Sequence, residues 1–178
     1  TDTKILDVPY HSQCEYGDEE ICKLGCGPTA TIMALEYFDF PTEIIDMIKL
    51  FPIYVENKYT ISPMYQYACK FGACAQSGMT VNTDLDWLKN HIDLDHPIII
   101  TTGMHGFGKE ACHAESRTIW HFLLMIGYND EYVIVHDPNP EDLCEKQSYG
   151  KNLVLKKDTF LKALKLSSGY VGPLKKPI

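Results

Sequence analysis

Cys26 is the residue of this chain whose setting most favours covalent chemistry. It lies in the run Leu24-Gly25-Cys26-Gly27-Pro28-Thr29-Ala30, where a loop is expected to become a helix, because proline is tolerated in a first helical turn. A cysteine just before a helix faces free N–H groups and the positive end of the helix dipole, which favour the nucleophilic thiolate. The alternative is that Cys26 is a small buried hydrophobe, which is common for free cysteines.

His121 and Asp137 could supply the base and the group that orients it. They lie sixteen residues apart, on two expected strands joined by Tyr128-Asn129-Asp130. If this three-residue loop closes a hairpin, residue 127 faces 131 and His121 faces Asp137, with Cβ atoms ~5 Å apart. A carboxylate there would fix the tautomer of the imidazole and stabilise the imidazolium, which in turn stabilises a thiolate. A two-residue loop would turn the two side chains to opposite faces. The other interpretations are a capping aspartate and a lone core histidine.

The elements that must position these residues divide the chain into a helical first half and a sheet-rich second half. The segment 14–24 is expected to be irregular, and 103–117 a long loop. The pattern predicts helices at 28–38, 43–50, 64–72, from 83 or 84 to 92, and at 158–166. It predicts an edge strand or an extended lead-in at 4–10, and strands at 97–102, 120–127, 131–137, 152–155 and 169–172. Helices followed by an antiparallel sheet make an α+β fold.

Composition limits the classes of protein to which the chain can belong. With 178 residues and 45% hydrophobic content, we expect a single domain over 1–178. A net charge of −8 argues against nucleic acid as a partner. No apolar run reaches the ~20 residues of a membrane span, so no membrane span is expected. The oligomeric state is left open.

The seven cysteines leave at least one free thiol in a monomer. Their spacings lack the paired C-x2-C motifs of structural zinc sites. Most of them are interpreted as reduced, which favours a cytoplasmic protein, although a secreted one is possible if a signal peptide was removed. A Cys14–Cys22 disulfide is the main alternative. His105, His113 and His121 recur every eight residues, a spacing that fits no metal site, so no metal or cofactor is expected.

Four short segments resemble a known family. They are Val8–Gln13, Cys26–Ala30, His121–Tyr128 and Val135–Pro138. Together they resemble the papain-like cysteine peptidases, above all family thirty-nine, whose founding members remove double-glycine leaders from bacteriocins, and its free-standing relatives. The resemblance implies a papain-like fold, in which an N-terminal helical lobe carrying the nucleophile helix packs on a C-terminal antiparallel sheet.

The resemblance also implies a role for each matching residue. Cys26 would be the nucleophile, His121 the general base and acid, and Asp137 the group that orients His121. Gln13 would donate its side-chain amide to the oxyanion, beside the backbone N–H of Cys26. Such a donor typically contributes ~3 kcal/mol to the transition state. A departure from the bacteriocin-processing members is the longer, charged insertion between Gln13 and Cys26.

These observations predict a cysteine peptidase that hydrolyses a peptide or isopeptide amide through an acyl-enzyme. Its expected partner is a peptide or protein substrate. One alternative is an acyltransferase of the same fold, transglutaminase-like or phytochelatin-synthase-like, which product analysis with an added amine would reveal. The other is a catalytically silent peptide-binding module, which would show no pH-dependent alkylation of Cys26.

Overall fold

A computed structural model describes residues 2–50, 62–103, 120–139 and 150–178 of the chain. The helices are α1 (Glu19–Leu24), α2 (Cys26–Tyr37), α3 (Ile44–Leu50), α4 (Ser62–Lys70), α5 (Leu85–Asp93) and α6 (Lys157–Leu166). The strands are β1 (Lys4–Ile5), β2 (Thr80–Val81), β3 (Ile98–Gly103), β4 (Trp120–Tyr128), β5 (Tyr132–His136), β6 (Leu153–Lys156) and β7 (Tyr170–Pro173).

The strands form one antiparallel sheet in the order β2-β7-β3-β4-β5-β6, with β1 added beside the end of β4. The long strand β4 therefore pairs with three neighbours. Its core residues from Leu123 to Ile126 are buried, as is the whole of β3. Helices on an antiparallel sheet confirm the α+β prediction. In the described ranges, no helix has the length and apolar character needed to cross a bilayer.

Helix α2 lies against the sheet with almost all of its side chains covered. Residues Gly27 to Leu35 are all buried, and the helix packs on β4, α3 and α4. A Cβ atom on Gly27 would overlap the sulfur of Met64 on α4 and approach the ring of Phe122 on β4. Glycine at this position thus allows the first turn of α2, with Cys26 at its start, to approach the sheet closely.

The segment before Cys26 differs from the prediction. The segment 14–24 is expected from the sequence to be irregular, but its second half forms the short helix α1. The Asp18 carboxylate accepts hydrogen bonds from the backbone N–H groups of Glu20 and Ile21, and two glutamates occupy the first turn, where the helix dipole favours negative charge. The predicted loop at 103–117 lies almost entirely outside the described residues.

The cysteines differ from the prediction as well. Cys14 is bonded to Cys22, and Cys69 to Cys74, so these four are not reduced thiols. The reason is geometric: α1 returns Cys22 to Cys14, and a turn at Gly72, with a φ of 70°, returns Cys74 to the end of α4. Disulfides persist mainly in oxidising compartments, so the argument from reduced thiols to a cytoplasmic protein no longer holds. Cys112 and Cys144 lie outside the described residues.

Candidate active site

Cys26 is the first residue of α2, because this helix begins two residues earlier than the predicted start at residue 28. It is partly exposed, and it is the free cysteine of the described residues. The preceding Gly25 is the N-cap and offers no side chain to the N–H groups of the first turn. Those N–H groups and the helix dipole therefore remain available to stabilise negative charge at the start of α2.

The side chains of Cys26 and His121 are hydrogen-bonded to each other. Burial of Cys26 opposes the thiolate, but the charge of His121 and its hydrogen bond outweigh burial and lower the pKa of the thiol. A hydrogen bond from the backbone of Phe122 acts in the same direction, and the more distant charge of Asp137 acts against it. The balance of these effects shifts Cys26 towards the thiolate.

His121 is held on its other side by Asp137. Its Nε2 atom lies 2.6 Å from Oδ1 of Asp137, and both residues are buried, with 4% and 3% of their surfaces exposed. The backbone N–H of Asn139 donates to the same carboxylate oxygen at 2.9 Å. Burial disfavours the imidazolium, yet Asp137 and Cys26 together raise the pKa of His121 to about 10. The lowered pKa of the Cys26 thiol and the raised pKa of the His121 imidazole both shift the two groups towards a thiolate–imidazolium pair.

The contact between His121 and Asp137 is confirmed, but the register behind the prediction is wrong. Leu124 pairs with His136 and Met125 with Val135, two residues away from the predicted pairing, and a bulge follows before Gly127. In this register Asp137 lies diagonally to His121 rather than opposite it. A shift of two residues keeps a side chain on the same face, and diagonal neighbours are still within reach of a long side chain.

An N-terminal segment runs beside the residues around Asp137. His136 donates from Nε2 to the carbonyl oxygen of Val8 at 2.8 Å, and the Tyr10 hydroxyl donates to the carbonyl oxygen of Asp137 at 2.7 Å. The backbone N–H of Gln13 donates to the carbonyl oxygen of Pro138 at 2.8 Å. These bonds bring Gln13 to the same part of the fold as Asp137.

Gln13 is almost completely buried, with 1% of its surface exposed, so it is not a solvent-facing loop residue. Its Nε2 donates to the carbonyl oxygen of Cys22 at 2.5 Å. Among the described residues, no donor reaches its buried Oε1 atom. A buried amide with one unsatisfied atom is costly unless a ligand or water completes it.

His136 points away from His121 and has a different environment. Its Nδ1 accepts a hydrogen bond from the backbone of Asn152 at 3.1 Å, while its Nε2 donates to Val8. Burial lowers the pKa of His136, so it is neutral near pH 7. Its role is to hold the N-terminal segment on the sheet.

The other histidines lie apart from this group. The side chains of His91 and His96 contact each other, with their Nδ1 atoms 3.0 Å apart, and both are half-buried rather than simple surface residues. His11 is hydrogen-bonded to Glu15 and Glu36. His105 and His113 fall outside the described residues.

Four groups near the site were not found from the sequence. They are the Tyr10 hydroxyl, the Cys22 carbonyl and the backbone N–H groups of Phe122 and Asn139. Three of them are backbone groups, which any residue type supplies and no motif reveals. Tyr10 lies inside the segment Val8–Gln13, and the resemblance of that segment to the family was the only feature of the sequence that pointed to it.

Comparison with known proteins agrees with this architecture. The fold aligns with the crystal structure of a candidate C39-like peptidase from Bacillus anthracis, with a TM-score of 0.67 and 18% identity over the whole of both chains. At that identity the likeness supports the fold alone. No curated protein matches the sequence. The sequence also matches the family model described as the Peptidase_C39 like family over residues 5–163, most of its length, and the chain therefore belongs to that family.

Proposed function

We propose that this protein is a cysteine peptidase that hydrolyses an amide bond of a peptide or protein through an acyl-enzyme. The observation that carries the proposal is the sequence of contacts from Cys26 through His121 to Asp137. A partly exposed thiol with a lowered pKa, a buried imidazole with a raised pKa and a buried carboxylate 2.6 Å from that imidazole form a nucleophile, an acid–base group and an orienting group.

In the acylation step, the Cys26 sulfur attacks the carbonyl carbon and the carbonyl electrons move to oxygen. The Cys26 backbone N–H and the Gln13 amide are the proposed donors to that oxyanion. When the intermediate collapses, the C–N bond breaks and the imidazolium of His121 gives its proton to the departing amine nitrogen. The acyl group remains on sulfur as a thioester.

In the deacylation step, neutral His121 removes a proton from water as the water oxygen attacks the thioester. The C–S bond then breaks, which releases the carboxylic acid and regenerates the thiolate beside the imidazolium. Asp137 retains its negative charge throughout and keeps His121 Nε2 protonated, so that the other ring nitrogen serves Cys26.

The first test is the pH dependence of Cys26 alkylation by iodoacetamide. Because the pKa of the thiol is lowered, we expect rapid alkylation well below pH ~8.5, the pKa of a free cysteine. Cys26→Ala should abolish this rapid labelling at low pH. His121→Ala should return the pH midpoint towards that of a free thiol, whereas the matched control His91→Ala should not change it. A midpoint unaffected by His121→Ala would contradict the proposal.

The second test is turnover of a fluorescently labelled denatured protein, with product termini determined by mass spectrometry. New carboxylate termini that require Cys26 support hydrolysis. Products joined to an added amine would instead identify an acyltransferase. No product, together with alkylation of Cys26 that has the pH dependence of a free thiol, would identify a catalytically silent peptide-binding module.

A further inference from the structure

The disulfide Cys14–Cys22 lies directly beside the proposed oxyanion donor. Gln13 precedes Cys14 in the chain, and its side-chain Nε2 donates to the carbonyl oxygen of Cys22 at 2.5 Å. The residue that is covalently joined to Cys14 therefore also provides the hydrogen-bond acceptor for Gln13. Two neighbouring side chains, those of Gln13 and Cys14, are thus both bonded to Cys22.

The orientation of the Gln13 amide follows from this contact. Two carbonyl oxygens cannot form a hydrogen bond, so the amide nitrogen must face the Cys22 oxygen. A primary amide nitrogen carries two N–H groups. One of them is used on Cys22, and in the described part of the chain no second acceptor is bonded to this nitrogen. The bond to Cys22 thus sets the direction of the remaining N–H.

The position of the Cys22 carbonyl depends on the short helix α1. This helix has six residues, and helices of that length are not stable by themselves in water. Its described anchors are the Asp18 cap, the buried side chain of Ile21, its packing on α2 and the disulfide to Cys14. Among these anchors, the disulfide is the one that connects α1 covalently to the segment that carries Gln13.

We propose that the disulfide Cys14–Cys22 is a positioning element of the active site, which holds the Cys22 carbonyl so that Gln13 presents an N–H to the oxyanion. This inference rests on the proposed peptidase function. Without the disulfide, α1 and the Gln13 segment separate more easily and the amide loses its fixed direction. The thiolate–imidazolium pair does not depend on this bridge, because its contacts come from β4 and Asp137.

The test compares two reactions of Cys26 that differ in their need for an oxyanion donor. Hydrolysis of p-nitrophenyl acetate passes through an oxyanion, whereas alkylation by iodoacetamide is a displacement at a saturated carbon. We expect Cys14→Ser/Cys22→Ser to lower ester turnover ~10-fold or more and to leave the alkylation rate unchanged. The matched control Cys69→Ser/Cys74→Ser, which removes the other described disulfide, should change neither rate.

A double-mutant cycle with Gln13→Ala separates positioning from general loosening of the fold. If the disulfide acts through Gln13, its removal should cost no further turnover once Gln13 is alanine. A full additional loss in the Gln13→Ala background would overturn the inference, as would an equal loss in the Cys69→Ser/Cys74→Ser control. If the wild-type chain shows no ester turnover and Cys26 alkylates like a free thiol, the proposed function itself fails.

A second measurement covers the case in which Cys14→Ser/Cys22→Ser does not fold. The folded Cys69→Ser/Cys74→Ser variant is treated with a water-soluble phosphine, which is oxidised to its phosphine oxide with oxygen from water. The Cys14–Cys22 disulfide takes up the two electrons and two protons and becomes two thiols. Ester turnover should fall on reduction and recover on reoxidation, while alkylation of Cys26 continues. Unchanged turnover after complete reduction would overturn the inference.

Discussion

Replacing Asp137 by asparagine removes the charge behind His121 and keeps the hydrogen-bond acceptor. Oδ1 of Asp137 accepts from His121 at 2.6 Å and from the Asn139 backbone at 2.9 Å, and an asparagine oxygen could keep both bonds. Hydrogen bonds to charged groups contribute ~1.5–3 kcal/mol and neutral ones ~1 kcal/mol. The difference, about 0.5–2 kcal/mol, corresponds to a change of about one unit in the pKa of the buried imidazole.

The direction of the change follows from the sign of the lost charge. Asp137 stabilises the imidazolium and helps to raise the pKa of His121 to about 10 despite burial. In Asp137→Asn the imidazolium is less stable, so its pKa should fall to about 9. NMR titration of the His121 ring in isotope-labelled protein measures this value directly and needs no substrate. Turnover should lose its alkaline limb at correspondingly lower pH, because His121 must be protonated to release the amine.

The matched control is Asp93→Asn, which removes the same charge from an exposed carboxylate. Asp93 accepts a hydrogen bond from the Tyr128 hydroxyl, away from His121. Its replacement should leave the pKa of His121 unchanged. An unchanged pKa of His121 in Asp137→Asn, or an equal shift in Asp93→Asn, would refute the assignment of Asp137 as the dominant partner.

Three further predictions concern stability. Gly27→Ala places a methyl group against α4 and β4 and should lower the free energy of unfolding by ~1–3 kcal/mol in denaturant titrations. Gly150→Ala should cost ~1–3 kcal/mol in the same assay, because its φ is 89° and its Cβ would meet the carbonyl oxygen of Asp137. Gly78→Ala, with open space around it, is the control for both, and an equal loss there would contradict them. Burial lowers the pKa of His136, so its contribution to stability is present above pH ~6.5 and is lost as the pH falls. In thermal melts, the wild type should lose stability as the pH falls below ~6.5, and His136→Gln should lose less stability over the same range. Equal losses would contradict the reasoning.

The parts of the fold that could be predicted from the sequence are those with strong local signals. Helix α2 begins near Pro28, and β3 and β4 are apolar on both faces, so their identities follow from residue type and periodicity. Helix α1 and the strand β2 have no comparable signal. Strand β2 has only two residues and exists through its pairing with β7, a partner about ninety residues away.

The register of the β4–β5 hairpin shows why a local rule was insufficient. The bulge falls between Met125 and Gly127, at the point where β1 joins the other edge of β4. A Cβ atom on Gly127 would meet the backbone of Lys4 and Ile5, so glycine at this position, beside the bulge, permits the approach of a third strand. A register predicted from the length of the turn alone takes no account of that third strand. The contact between His121 and Asp137 survived because the shift was an even number of residues.

The position of Gln13 depends on contacts that are still less local. Its place in the fold comes from the Pro138 carbonyl, and the direction of its amide from the Cys22 carbonyl. Neither acceptor is a side chain, so no pairing of residue types could have revealed them. The resemblance to a family supplied Gln13 as a candidate, and the backbone contacts provide the physical reason for its burial.

The chain's N-terminal segment connects the two halves of the proposed site. The Tyr10 hydroxyl supports the backbone of Asp137, which orients His121, and three residues later Gln13 is bonded to Pro138. A displacement of this segment would therefore change both the orientation of the imidazole and the placement of the proposed oxyanion donor. The thiol is held differently, because Cys26 belongs to the buried helix α2. Perturbations of the segment should accordingly slow acyl transfer more than they slow alkylation of Cys26, since alkylation needs the thiolate and acyl transfer needs all three groups at once.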